Sequence, residues 1–88
     1  MKKINLSGRE RTVLRGIDFA TGTTGAELIV RTRLAPEDLV DVLNALMEAG
    51  YAEMAPYAEA TTLDQFQDAT FEVNPSYAQD LREAIARR

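Results

Sequence analysis

The hydrophobic and polar residues of this chain first follow a helical period in the segment after "MKKINLS". Ser7 and Glu10 form the pattern S-x-x-E, which is typical of a capping box and predicts that a first helix begins near residue 8. Its apolar positions are spaced for one helical face: Val13, Leu14 and Ile17. We expect this helix to end near "ATGTTG", residues 20–25, and another helix to pack closely against Gly16.

Start and stop signals define two further helices. Thr24 and Glu27 repeat the capping box and predict a short second helix over "GAELIVRT". Pro36 suits the first position of a third helix, because its missing amide hydrogen would have no partner inside the helix. Gly50 suits its end. The third helix is therefore predicted over about residues 36–49.

The third helix has two different faces. At about 100° per residue, one stripe is apolar and should face the core: Leu39, Val42, Leu43 and Leu46. The opposite side is polar and mostly acidic, and it is formed by Glu37, Asp41, Asn44 and Glu48. We expect these four side chains to form a solvent-facing ridge.

Two strands and a last helix are predicted after Gly50. The runs "YAEMA" and "ATFEV" have strand character and suit a hairpin with a long loop, "PYAEATTLDQFQD". We expect the apolar loop residues to fold back onto the body: Tyr57, Leu63 and Phe66. Asn74 and Pro75 begin a helix whose apolar face carries Tyr77, Leu81 and Ile85. That face either packs on its own domain or forms a homodimer.

Composition narrows the class of protein. The 88 residues, 45% of them hydrophobic, suit a single domain over residues 1–88. The chain has no Cys and no His, which excludes disulfides, thiolate metal sites and histidine-based catalytic triads. "GTTGAE" lacks the ending of a phosphate-binding loop, and Asp64 and Asp68 do not follow a calcium-loop pattern. We therefore expect no enzyme activity, cofactor or metal, and, without a long apolar run, a cytoplasmic protein.

The segment "TTGAELIVRTRLAPEDLVDVLNALMEAGYAE" resembles the winged helix-turn-helix superfamily. The resemblance implies an α+β, mainly helical fold with three helices, a β-hairpin wing and a C-terminal helix. It also implies DNA binding, with the third helix in the major groove and the wing on the backbone. Two positions depart from the family pattern: Ala35 replaces the usual Ser or Thr cap, and the turn at Thr32 and Arg33 lacks a Gly.

The distribution of charge argues against that mode of binding. Residues 34–81 contain no Lys or Arg and ten acidic residues: Glu37, Asp38, Asp41, Glu48, Glu53, Glu59, Asp64, Asp68, Glu72 and Asp80. DNA affinity depends on basic groups that displace counterions from phosphates, and the predicted reading surface has none. We therefore predict a regulatory interaction module that binds a basic protein partner through Glu37, Asp41, Asn44 and Glu48. A solvated face that only keeps the domain soluble is the simpler alternative.

The basic residues are concentrated near the N-terminus, although the chain as a whole has a net charge of -4. Seven of them precede residue 34: Lys2, Lys3, Arg9, Arg11, Arg15, Arg31 and Arg33. They define the alternative function, a DNA-binding transcriptional regulator with non-standard docking through this basic region. A purely structural subunit that forms homo-oligomers is a third interpretation.

Overall fold

The computed structural model describes residues 4–86, which form an α+β arrangement of helices around a small antiparallel sheet. The helices and strands of this part of the chain are α1 (Gly8–Gly16), β1 (Thr23–Thr24), α2 (Gly25–Thr32), α3 (Pro36–Glu48), β2 (Ala52–Ala55), β3 (Thr70–Val73) and α4 (Ala78–Ala86). Short 3-10 turns cover Phe66–Asp68 and Pro75–Tyr77. Within residues 4–86, no helix is long and apolar enough to cross a membrane.

Both predicted capping boxes are confirmed. The amide of Glu10 donates to the Ser7 hydroxyl at 3.1 Å, and the amide of Ser7 donates to the Glu10 carboxylate at 2.8 Å. The same exchange joins Thr24 and Glu27, at 3.2 and 3.3 Å. Each box satisfies amides that have no partner within the helix, so α1 and α2 begin where the sequence predicts.

The predicted end of α1 near residues 20–25 is wrong, because the helix ends at Gly16. The following turn is organised by Asp18, whose carboxylate accepts the amide hydrogens of Ala20 at 2.8 Å and Thr21 at 3.2 Å. These bonds, that of Ala20 first, lower the pKa of Asp18. The side chain thus gives the backbone amides partners that compete with helical hydrogen bonds.

The α2–α3 turn and the start of α3 form without the residues expected from the family pattern. Arg33 adopts the left-handed conformation, with φ 60°, and its amide donates to the carbonyl of Ile29 at 3.0 Å. Ala35 supplies no side-chain cap, and Pro36 occupies the first turn of α3 as predicted. The helix ends at Glu48, one residue before the predicted end, and Gly50 follows with φ 84°.

The sheet contains the predicted hairpin and one strand that the sequence did not predict. β2 and β3 pair antiparallel, with Glu53 opposite Glu72. The additional strand is β1, which pairs with the other side of β3 and places Thr23 opposite Phe71. The order is β1-β3-β2, so that β2 is an edge strand and the long loop, residues 56–69, leaves from its end.

The core lies between the helices and one side of the sheet, and its fully buried large side chains are Val13, Leu14, Leu28, Leu39, Leu43, Leu46, Phe66, Phe71 and Leu81. The close approach predicted at Gly16 is confirmed, because a Cβ atom there would lie 3.2 Å from a methyl group of Leu28. The last helix packs on its own domain through buried Leu81 and partly buried Ile85. Tyr77 stays 38% exposed and makes an edge contact with Tyr51.

Candidate protein-binding surface

The side of α3 opposite the core presents three exposed carboxylates, those of Glu37, Asp41 and Glu48, which we call the acidic face. Their position follows from the helical period, because Leu39 and Leu43 lie on the other side of the helix and are fully buried. This arrangement matches the predicted ridge at three of its four positions.

Asn44, the fourth residue predicted for the ridge, is half-buried and tied to the long loop. Its amide nitrogen donates to the carbonyl of Thr61 at 3.1 Å, and its amide oxygen accepts the Thr61 N–H at 2.7 Å. Asn44 was therefore wrongly placed as solvent-facing. Its partner lies 17 residues away, a pairing that no local pattern in the sequence indicates. Both ends of the amide hold the loop against α3.

A first groove, with a cavity volume of about 550 Å³, opens between the end of α3, the start of β2 and the long loop. Three carboxylate-bearing residues line it: Glu48, Glu53 and Glu59. Its other lining residues include the apolar Met47, Ala52 and Ala58 and the polar Asn44 and Asn74. Glu53 and Glu59 were not among the predicted binding residues, although the run of acids in residues 34–81 contained them.

A second groove, of about 380 Å³, lies next to the first and shares Tyr57 and Ala58 with it. Its other lining residues include Met54 and Pro56, with Asp64 and Asp68 as the acids. The expectation that the apolar loop residues fold back holds for Phe66, which is fully buried. It is wrong for Tyr57 and Leu63, whose side chains are exposed at 80% and 49%.

Of the five predicted basic residues that the structure describes, three have side chains bound within the protein: Arg9, Arg15 and Arg31. Lys2 and Lys3 lie outside the described residues. Arg9 forms an ion pair with Asp38 at 3.5 Å, between α1 and the first turn of α3. Arg15 donates to the carbonyl of Ile85 at 3.1 Å, which joins α1 to α4.

Arg31 has the largest number of contacts among these arginines. One guanidinium nitrogen donates to the carbonyl of Gly16 at 2.8 Å and to the hydroxyl of Thr23 at 3.3 Å. The other lies 3.5 Å from the Glu27 carboxylate. This side chain therefore connects the end of α1 to β1 and α2.

The structure brings together only part of the basic set. Arg15 and Arg31, with Thr12, line a shallow depression of about 400 Å³. Arg11 is half-buried, and Arg33 is exposed at the end of α2. Arg9 instead forms an ion pair with Asp38 of α3, one of the ten acids in residues 34–81.

The acidic residues differ from the arginines in their partners. Within residues 4–86 there are two ion pairs, Arg9 with Asp38 and Arg31 with Glu27. Nine of the ten acids in residues 34–81 therefore make no ion pair to the described part of the chain. The described residues also contain no group of three or more acidic side chains arranged to hold a metal ion.

Comparisons with protein-family models, with curated proteins and with solved structures each gave no match to this chain.

Proposed function

We propose that this chain is a small winged-helix interaction module of regulatory function, which binds a basic protein partner through the acidic face of α3 and the long loop. The winged-helix assignment is supported by the order of α1, α2, the turn, α3, the β2–β3 hairpin and α4. In this assignment the long loop is the wing, and its contact with α3 through Asn44 joins both parts of the binding surface.

The observation that carries the proposal is the set of acidic side chains without an ion pair among the described residues. Glu37, Asp41 and Glu48 are exposed on one helix face, and the first groove adds Glu53 and Glu59 beside Glu48. Such a one-signed surface attracts a positively charged partner over several ångströms and orients it before contact. It repels a phosphate backbone for the same reason, so α3 is a poor reading helix for DNA.

Affinity capture from the native host tests this proposal. The wild-type domain, Asp41→Lys and Glu48→Lys are each immobilised, and retained proteins are identified by mass spectrometry. Glu83→Lys on α4 is the matched control, because Glu83 is exposed and its reversal changes the net charge equally. We expect a protein with a basic surface to be retained by the wild type and the control and lost from the two α3 variants. Equal retention by all four would contradict the proposal.

DNA binding through the N-terminal basic region is the alternative, and the depression beside Arg15 and Arg31 is the feature that favours it. It predicts that mixed duplexes bind at about 50 mM salt and that affinity falls steeply as salt rises. It also predicts that Arg11→Ala and Arg33→Ala weaken binding while Asp41→Lys strengthens it. A duplex titration with no signal change would exclude this alternative.

A further inference from the structure

We infer that the basic partner binds with an extended segment that runs alongside β2 and places one cationic side chain in each of the two grooves, on either side of Tyr57. This inference rests on the proposed function, and it names the form of the partner and the residues that receive it.

The two grooves follow each other along the edge strand. Ala52 and Glu53 line the first groove, whereas Met54 and Pro56 line the second. The residues of the two pairs are thus one to four positions apart, and the midpoints of the pairs, 52.5 and 55, are 2.5 positions apart, which corresponds to about 8 Å along an extended chain. Alternate side chains of an extended chain point the same way and lie about 7 Å apart. An extended segment with basic residues at alternate positions therefore fits the spacing.

The walls of both grooves suit the two parts of a long basic side chain. Arginine and lysine have an aliphatic stem and a charged head, and they bind best where apolar surface lies next to an acid. The first groove combines the partly exposed Met47 and Ala58 with Glu53 and Glu59. The second combines the exposed Pro56 and the partly exposed Ala58 with Asp64 and Asp68.

Tyr57 lies where the grooves meet, and its ring is the most exposed large hydrophobic side chain of the described residues. A guanidinium group that stacks on an exposed ring gains on the order of 0.5–1 kcal/mol, which corresponds to a two- to five-fold change in affinity. A charged neighbour at each side adds electrostatic attraction. Binding of a guanidinium group thus explains why the Tyr57 ring is exposed, which packing within the domain does not explain.

Fluorescence anisotropy with a labelled heptapeptide tests the inference. The peptide carries two arginines separated by one alanine, and the control peptide carries citrulline, a neutral analogue, at both positions. We expect the arginine peptide to bind the wild-type domain and the citrulline peptide to bind at least ten-fold more weakly. Tyr57→Ala, Glu53→Gln with Glu59→Gln, and Asp64→Asn with Asp68→Asn should each weaken binding roughly two- to five-fold. Glu83→Gln is the matched control and should bind as the wild type does.

The outcomes separate this inference from the proposed function. If the peptide fails to bind, or if the groove variants and Tyr57→Ala bind it as the wild type does, the inference is overturned. The proposed function still stands in either case if capture of the host partner depends on Asp41 and Glu48. Light scattering on the same samples tests whether a second copy of the chain fills the grooves instead. A dimer that is present in the wild type and lost in Tyr57→Ala would show this and overturn the inference. Circular dichroism of each variant verifies that it is folded.

Discussion

The N-terminal region, residues 4–33, and the acidic region, residues 34–81, differ in how their charges are used. In the first, Arg15 and Arg31 join helices by donating to backbone carbonyls. Arg9 reaches across to the second region and pairs with Asp38. The acidic region forms no other ion pair with the described residues. Arg9, Arg15 and Arg31 therefore stabilise the fold, while most of the carboxylates make no ion pair and can bind a partner.

This difference shows that the number of charged residues in a region does not by itself identify an interaction surface. The sequence contains two oppositely charged regions, and either one is a candidate for binding. Hydrogen-bond partners distinguish them, because a guanidinium group that already donates to carbonyls in the protein must give up or share those bonds to bind a phosphate. An exposed carboxylate without a partner gives up only water.

The strongest test of how the two regions are joined is Gly25→Ala. Gly25 begins α2, and a Cβ atom there would overlap the carbonyl of Phe66, which belongs to the long loop of the acidic region. We expect the free energy of unfolding to fall by about 3 kcal/mol, because this buried contact has no room for a methyl group. Urea denaturation measures the change. Gly8→Ala is the control, since a Cβ atom at Gly8 meets nothing within 4 Å. A loss at Gly25 no larger than that at Gly8 would show that the loop does not rest on α2.

A smaller effect is expected from Asn44→Ala, which removes the link between α3 and the loop. The backbone N–H and C=O of buried Thr61 would lose their partners, at a cost of about 2 kcal/mol. Urea denaturation gives the stability, and hydrogen exchange of the Thr61 amide reports the local opening. Glu48→Ala on the same helix should change stability by less than about 0.5 kcal/mol, because its side chain is exposed. Unchanged protection of Thr61 in Asn44→Ala would be inconsistent with an anchoring role.

Arg31→Ala tests whether hydrogen bonds from an arginine side chain to the rest of the protein stabilise the fold. We expect a loss of about 1 kcal/mol, because the guanidinium donates to Gly16 and Thr23 but remains about half exposed. Arg31→Lys should show most of the same loss, since a single ammonium group cannot reproduce the planar fork of donors. Arg11→Ala is the comparison and should change the free energy of unfolding by less than about 0.5 kcal/mol. Equal losses of stability in Arg11→Ala and Arg31→Ala would contradict the claim that the hydrogen bonds of Arg31 stabilise the fold.

The smallest expected effect is an increase in stability from Arg33→Gly, at the junction of the two regions. Arg33 holds a left-handed conformation that glycine adopts without a steric penalty. Thermal unfolding should show a stabilisation of about 0.5–1 kcal/mol. Arg33→Ala has the same loss of charge without the conformational relief, so no such gain is expected from it. A destabilised glycine variant would show that the Arg33 side chain contributes more than its backbone conformation costs.

Local signals in the sequence predicted the starts of α1, α2 and α3 and the hairpin, whereas the predicted start of the last helix, at Asn74 and Pro75, is a 3-10 turn before α4. The capping boxes at Ser7 and Thr24 and the proline at residue 36 act on amides within three or four residues, so their effect is readable from short patterns. The strands of the hairpin were also predicted, whereas β1 was missed. Two residues are too few to show a period, and β1 exists because β3 offers it a partner.

The sequence predicted less of the candidate surface. The positions of Glu37, Asp41 and Glu48 follow from the helical period, and the structure leaves them exposed. The role of Asn44 and the exposure of Tyr57 depend on the path of the long loop, which contacts between distant residues determine. The grooves themselves depend on the same path.

The central claim is most directly tested by nuclear magnetic resonance of the uniformly ¹⁵N-labelled domain, titrated separately with the two-arginine heptapeptide and with a mixed DNA duplex. We predict that the peptide shifts the amide resonances of α3, β2 and the long loop, with Glu48, Glu53 and Tyr57 among the largest changes, and that the duplex shifts few resonances. A duplex that shifts the amide resonances of Arg11 in α1 and of Arg33, directly after α2, together with a peptide that leaves α3 unchanged, would contradict the claim.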